Sequence, residues 1–274
     1  MRIVTFRLNG KVQHGVRAGD MIQLYPDAVS AVDLAKRGAL LSAAEEVALA
    51  AVELLPPVPN PGKTICIGLN YRAHAIEGGN PIPDYPAVFM RCTTSLAAPG
   101  GAMVYPECSD KLDYEAELAV IIGTTARNVA AADALDYVAG YSCFNDGSVR
   151  DFQRKSTQWT MGKNFDSTGG FGPELVTPDE LPAGAAGLRL VSRLNGEVMQ
   201  DSNTADMIFD VATLIAILSE GMTLEPGDVI ATGTPSGVGY ARTPPVFMRP
   251  GDVTEIEIEC IGTLSNTVAA RASA

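Results

Sequence analysis

The chain has 274 residues, 46% of them hydrophobic and 19% charged, and a formal net charge of −12. That balance supports a sizeable packed core and speaks against a disordered chain; without any Lys/Arg run, the acidity also speaks against a nucleic-acid partner. The five cysteines (Cys66, Cys92, Cys108, Cys143 and Cys260) are odd in number and never at CxxC spacing. This argues against a disulfide framework or a thiolate zinc site and for reduced thiols in the cytoplasm.

The N-terminus, MRIVTFRLNGKV, alternates like a strand and lacks the apolar core of a signal peptide. Residues 3–25 read as short strands, with turns at Asn9-Gly10 and Gly19-Asp20. Two helical stretches are expected next. The second would start at Ser42, where Glu45 completes a capping box, carry Val47, Ala51 and Leu54 on one stripe, and stop at Pro56. The proline-dense connector PPVPNPG, residues 56–62, marks a domain boundary. It divides the chain into a small N-terminal α+β domain, residues 1–58, and a larger domain, residues 59–274.

Lys63 to Leu69 reads as a buried strand, with Gly68 opening a loop. Residues 76–86, IEGGNPIPDYP, have the composition of a lid or site rim. Leu118 to Ile122 is a candidate central strand, 130–138 a helix, and Tyr141 to Asn145 a further strand. Thr204 or Asp206 is expected to cap a helix bearing Ile208, Val211, Ala212 and Ile215, ended by Gly221. Two Pro-Gly-Asp-Val turns, at 226–229 and 250–253, each launch a strand. In the second strand Ile256, Ile258 and Cys260 alternate with Glu255, Glu257 and Glu259. The longest strongly apolar stretch, Val211 to Leu218, is too short to cross a bilayer, so no membrane partner is expected. The fold class is mixed α/β and β-rich.

The strongest chemical signal is LDYEAELAVIIG, residues 112–123. Glu115 and Glu117 are two apart on the expected strand and so share a face. Like charges this close repel unless a cation sits between them; the plain alternative is a wet acidic face like that at 255–259. Asp146, in GYSCFNDGSVRDFQ, follows a strand and precedes glycine, which lets its carboxylate project into a cleft; alone it reads as a turn residue. Three oxygen ligands and no His/Cys cluster select Mg²⁺ or Mn²⁺ over Zn²⁺.

His74 and Glu77, three apart in GLNYRAHAIEGG, share one side of a helical turn and would suit activation of a water; the bland reading is a loop histidine beside a solvated glutamate. His14 is expected at the surface. Lys163, in WTMGKNFD, could place a charge at the metal or the substrate, though alone it reads as a surface lysine. The stretch ATGTPSGVG, residues 231–239, offers backbone amides and Thr234 to a carboxylate. It has neither the lysine of a P-loop nor a GxGxxG pattern, so nucleotide binding is not supported.

Taken together, GLNYRAH, DYEAEL, VAGY with FNDGSVRDFQ, GKNFD, TGTPSGVG and PGDVTEIEIECIGTLSNTV resemble, in this order, the fumarylacetoacetate hydrolase family. The resemblance spans about Pro59 to Val268. It implies a mixed β-barrel or β-roll with a smaller N-terminal domain, in a homodimer. It implies metal-binding carboxylates at Glu115, Glu117 and Asp146, an active-site lysine at Lys163, and a water-activating pair at His74 and Glu77. Substrate contacts would fall at Arg150, Gln153 and Thr234, and at Arg91, where many members carry lysine. Gly147 and Ser148 stand where Val-Ser or Val-Thr is commoner, which is expected to loosen the ligand loop. The implied activity is Mg²⁺- or Mn²⁺-dependent hydrolysis of a C–C bond in an acylpyruvate or 2,4-dioxo acid. The alternatives are decarboxylation of oxaloacetate and isomerisation or hydration of an unsaturated 2-oxo acid from aromatic catabolism. A non-catalytic metal- or carboxylate-binding module is the reading from another class.

Overall fold

The computed structural model describes residues 1–270. A twelve-stranded mixed sheet forms the frame. Its main path runs Glu46–Ala48, Met21–Leu24, Lys11–Ala18, Arg2–Leu8, Gly169–Val176, Val138–Asp146, Ala116–Ile122, Val229–Ala231, Thr64–Gly68 and Ala87–Arg91. A five-stranded sheet, from Glu197–Asn203 through Arg189–Leu194, Val253–Ile258 and Gly262–Ala270 to Ala102–Tyr105, packs against it. Each sheet is an open path of strands among the described residues, within a β-rich α/β architecture.

The strand Ala116–Ile122 lies at the centre and is buried on both faces. Leu118, Val120 and Ile122 meet Ile65, Ile67, Leu214 and Ile215 on one side, while Ala119 and Ile121 meet Cys66, Phe144 and Phe171 on the other. Two covered faces explain why Leu118 to Ile122 is a continuous apolar run with no alternation. The apolar face of Val253–Ile258, carrying Ile256 and Ile258, closes the first of these cores. That strand ends at Ile258, and Cys260 sits exposed in a turn at φ +62°, outside the alternation expected for it.

The N-terminal strands form as expected. Asn9 and Gly10, at φ +51° and +78°, make the tight turn between Arg2–Leu8 and Lys11–Ala18. These strands continue the large sheet, because Ile3 pairs with Leu175 across the edge of Gly169–Val176. His14 is buried there, 3.0 Å from the Thr5 hydroxyl, and burial lowers its pKa. It is not the surface residue expected.

Two expectations about helices are corrected, and the helix expected at 130–138 is present in a tighter form. The segment from Ser42 to Leu55 is not the expected helix but two short strands around a single 3₁₀ turn at Leu49–Ala51: Glu46–Ala48 pairs with Met21–Leu24 and Glu53–Leu55 with Arg2–Leu8. The backbones of Ala44 and Glu45 are spent on Leu24, and Val47, Leu49, Val52 and Leu54 cover Val4, Phe6, Ile22 and Leu24. Pairing and burial outweigh a local capping signal. The 131–137 stretch winds as a tighter 3₁₀ helix, anchored where Gly123 and Thr124 both donate to the Tyr137 carbonyl. The later helix spans Val211–Gly221 and is capped by Asp210, whose Oδ1 accepts from Thr213 N at 2.8 Å. It starts beyond Ile208 because Asn70 takes the backbone N–H groups of Ile208 and Phe209. Among the described residues no helix is long and apolar enough to cross a membrane.

Candidate metal centre and active site

The paired ends of two neighbouring strands build the centre. Ala116–Ile122 and Val138–Asp146 run antiparallel with Ala116 opposite Asn145, and Asp146 N donates to the Glu115 carbonyl at 3.0 Å. This register brings Glu115, Glu117 and Asp146 together. One oxygen from each lies within 4.8 Å of the other two, and all three residues are buried.

Three cations surround this acid cluster. Lys163 Nζ lies 2.7 Å from Glu115 Oε2 and 2.6 Å from Asp146 Oδ2. Arg150 Nη1 is 2.7 Å from Glu115 Oε1, and its Nε is 2.7 Å from Asp113 Oδ2. Arg91 Nη1 is 2.6 Å from Asp146 Oδ1. Burial would raise the Glu115 pKa, but the charges of Arg150 and Lys163 hold it down to about 2. Burial works against the charge on Lys163, and Asp146 and Glu115 outweigh it, so its pKa is raised and the ammonium stays protonated.

Glu117 is different. Among the described residues no lysine or arginine hydrogen-bonds it, and its Oε2 accepts only from Gly233 N at 3.0 Å. Burial, followed by the charges of Asp146 and Glu115, pushes its carboxyl well above the ordinary range. A divalent cation held by these oxygens would offset that unmatched charge, and the all-oxygen donor set suits a hard ion. The residues therefore fit the metal implied by the resemblance.

The cluster opens into a cavity of about 450 Å³. His74, Gln153, Arg150, Lys163 and Thr234 all line it. His74, on the helix Arg72–Glu77, has Nδ1 3.3 Å from Glu77 Oε2, and Glu77 Oε1 is held by Gly237 N at 2.9 Å. A carboxylate only accepts, so the ring nitrogen facing it carries the hydrogen, and in the neutral ring the lone pair falls on Nε2. Among the described residues Arg150 Nη2 is buried without a hydrogen-bond partner. The guanidinium belongs to a residue that lines the cavity, and its charge suits an anion there.

Arg91 stands elsewhere than a substrate contact would. It is off the cavity wall, behind Asp146, with Nη1 also on the Gly147 carbonyl, Nη2 on Thr168 and Nε on Ser95. All three nitrogens are engaged with protein. Nor does Gly147 loosen the ligand loop. A Cβ there would lie 2.1 Å from the Thr168 carbonyl oxygen, so the turn is closely packed as it stands and a side chain would require its backbone to shift.

Several site residues are absent from the sequence reading. Asp113, wholly buried, accepts from the backbone N–H groups of Tyr114, Gly239 and Tyr240 and aims Arg150. Its two-residue spacing from Glu115 was the available signal. Phe89, Trp159 and Tyr240 wall the cavity. Trp159 packs edge-on against Phe89 at 5.5 Å between ring centroids and fills the space a Cβ on Gly68 would need, 2.1 Å away. Tyr240 packs on the guanidinium of Arg150 at 4.6 Å. They come from a strand, a turn and a short 3₁₀ helix far apart in the chain, and no spacing in the sequence marks them.

Comparison with known proteins places these features in context. The family model described as "Fumarylacetoacetate (FAA) hydrolase C-terminal" matches residues 63–269. The chain is 46% identical over 224 residues to an oxaloacetate tautomerase of Bacillus subtilis, covering 80% of this chain and 74% of that protein. It is 43% identical over 219 residues to a mitochondrial oxaloacetate tautomerase of Homo sapiens, covering 79% and 69%. The crystal structure of 5-carboxymethyl-2-hydroxymuconate delta-isomerase from Mycobacterium smegmatis superposes with a TM-score of 0.84 at 33% identity, covering 99% of this chain and 100% of that one.

Proposed function

The chain belongs to the fumarylacetoacetate hydrolase family, and on that premise we propose that it is a Mg²⁺- or Mn²⁺-dependent tautomerase of a short 2-oxo diacid of the oxaloacetate type. The observation that carries this reading is the unpartnered Nη2 of Arg150, a residue lining the cavity that also holds the three carboxylates. A 2-oxo acid bound at the carboxylate cluster would bring its second carboxylate to that guanidinium. The relatives named as tautomerases and the similar isomerase structure support isomerisation, the alternative expectation, over hydrolysis of a C–C bond.

In this reading Glu115, Glu117 and Asp146 would hold the cation. When bound, it supplies Lewis acidity that stabilises negative charge on the 2-oxo oxygen. Arg150, Gln153 and Thr234 orient the acid. His74 Nε2 takes the proton of the enol hydroxyl and returns one to carbon 3; the O–H bond breaks, the C–H bond forms, and nothing else is gained or lost. Glu77 holds the ring in the tautomer that permits this. Phe89 and Trp159 limit access of water to the carbon. Lys163 stays charged and offsets two of the acids. Arg91 acts through Asp146. The chain would work as a cytoplasmic homodimer, its two sheets forming the family's β-roll and residues 1–58 a small N-terminal unit.

A second reading, hydrolysis of an acylpyruvate, draws on the same His74–Glu77 pair, which could equally activate a water. One assay separates them. The ultraviolet absorbance of enol-oxaloacetate is followed with purified protein in Mg²⁺, Mn²⁺ and EDTA, beside acetylpyruvate under the same conditions. Metal-dependent acceleration of enol loss, with acetylpyruvate untouched, is expected. Release of acetate from acetylpyruvate without acceleration of the enol would replace this proposal with hydrolysis.

A further inference from the structure

Gln200 lies on the strand Glu197–Asn203, outside every motif of the sequence, and is 1% exposed. Its side-chain amide is used at both ends. Oε1 accepts from Ala116 N at 2.9 Å, the residue between the two metal-binding glutamates. Nε2 donates to Thr234 Oγ1 at 2.8 Å and to the Pro235 carbonyl at 2.9 Å. The neighbours fix which end is which: Ala116 N can only donate and the Pro235 carbonyl can only accept, so the amide has one orientation.

This settles the role of the Thr234 hydroxyl. Its oxygen already accepts from Gln200, and an amide N–H₂ cannot accept in return. The hydroxyl hydrogen is therefore turned away from Gln200. Thr234 is 4% exposed and lines the cavity beside Glu117. Among the described residues its hydroxyl has no bond to a protein acceptor, so it is left to donate into the cavity, to water or to a bound ligand.

We propose that Gln200 is a positioning residue that makes Thr234 an obligate hydrogen-bond donor to the acidic substrate, while its other end steadies the strand between Glu115 and Glu117. The proposal rests on the reading above that the cavity takes a 2-oxo acid. It adds that recognition and metal cradle share one side chain: the amide that directs the Thr234 hydroxyl also holds the backbone of Ala116.

The test is a double-mutant cycle on the full chain in saturating Mg²⁺, read by calorimetry. The probe is oxalate, a non-reacting diacid with two adjacent oxygen donors, so the readout does not depend on which reaction is catalysed. Failure of the tautomerase reading would appear in the turnover assay and not here. Thr234→Val is expected to weaken oxalate about tenfold, the worth of a hydrogen bond to a charged acceptor, while Thr234→Ser keeps the affinity. Gln200→Glu keeps an acceptor for Ala116 N but replaces the donor by a second acceptor, which draws the Thr234 hydroxyl to itself. In that background Thr234→Val is expected to cost less than twofold, and the Mg²⁺ affinity of both single variants is expected to stay within about threefold of the parent. Equal cost of Thr234→Val in both backgrounds, or no cost in the parent, would overturn the proposal. If Gln200→Glu does not fold, Gln200→Met supplies the second background, and the same loss of coupling is required.

Discussion

Arg91 and Asp146 meet at 2.6 Å with both side chains wholly shielded from solvent. The guanidinium is a fork spread over Asp146, Gly147, Ser95 and Thr168, a pattern that the point charge of lysine cannot reproduce. Arg91→Lys should therefore loosen Asp146 and weaken Mn²⁺ binding by about 10–100-fold, with little change in substrate KM once metal is saturating. Calorimetric titration with Mn²⁺ checks this. A raised KM with unchanged metal affinity would show that Arg91 reaches the substrate after all.

Glu117 should make the metal-free protein sensitive to pH. Its carboxyl is pushed well above its ordinary value of 4.5 by burial and then by its acidic neighbours. The folded state thus holds this proton more tightly than the unfolded chain. The stability it contributes is fully present below 4.5 and is lost as pH rises through the raised value. Melting temperatures of the metal-free protein should fall across that window, and Glu117→Gln should flatten the fall. The gain in melting temperature on adding Mg²⁺ should grow with pH. A Mg²⁺ shift that shrinks with rising pH would contradict this account.

His74→Asn should lower kcat about a hundredfold or more, the usual worth of a positioned acid–base group, with KM nearly unchanged. Glu77→Gln should give a smaller loss, because its task is to orient the ring. Steady-state kinetics on enol-oxaloacetate measures both. A full-speed His74→Asn enzyme would move the proton transfer to another group.

Gly147→Ala should be costly far beyond the size of a methyl group. The added carbon would fall 2.1 Å from the Thr168 carbonyl and 2.7 Å from the Met103 methyl. Overpacking of this kind costs about 1–3 kcal/mol, and the displaced turn would carry Asp146 with it. Thermal melts with and without Mn²⁺ should show lower stability and a smaller metal shift; a neutral Gly147→Ala would mean the turn yields easily.

The carboxylate pair Glu115 and Glu117 was legible because strand period and like-charge repulsion both act within three residues. Asp146, Lys163, His74 and Glu77 were each ambiguous alone and gained meaning only as an ordered set. The 42–55 segment misled because its capping signal is local, whereas the bonds between Leu24 and residues 44 and 45 are not. The role of Arg91 was hidden for a similar reason. Sequence order places it near a cavity, but the side of Asp146 on which it stands is set by strand packing. Gln200 left no trace at all, since an isolated glutamine acquires its purpose only when two distant backbones flank its amide.

The three acids of the candidate metal centre all sit at the joined ends of one antiparallel pair, Ala116–Ile122 with Val138–Asp146, while Phe89, Trp159, Tyr240 and Asn80 reach the same cavity from four separate parts of the chain. The reactive hardware and most of the fittings that judge a substrate's size are thus separately replaceable. Exchanging the 78–86 loop, or the residue at 159, should retune which acid is accepted without disturbing the ion. An enzyme laid out in this way can acquire a new diet while keeping its old chemistry.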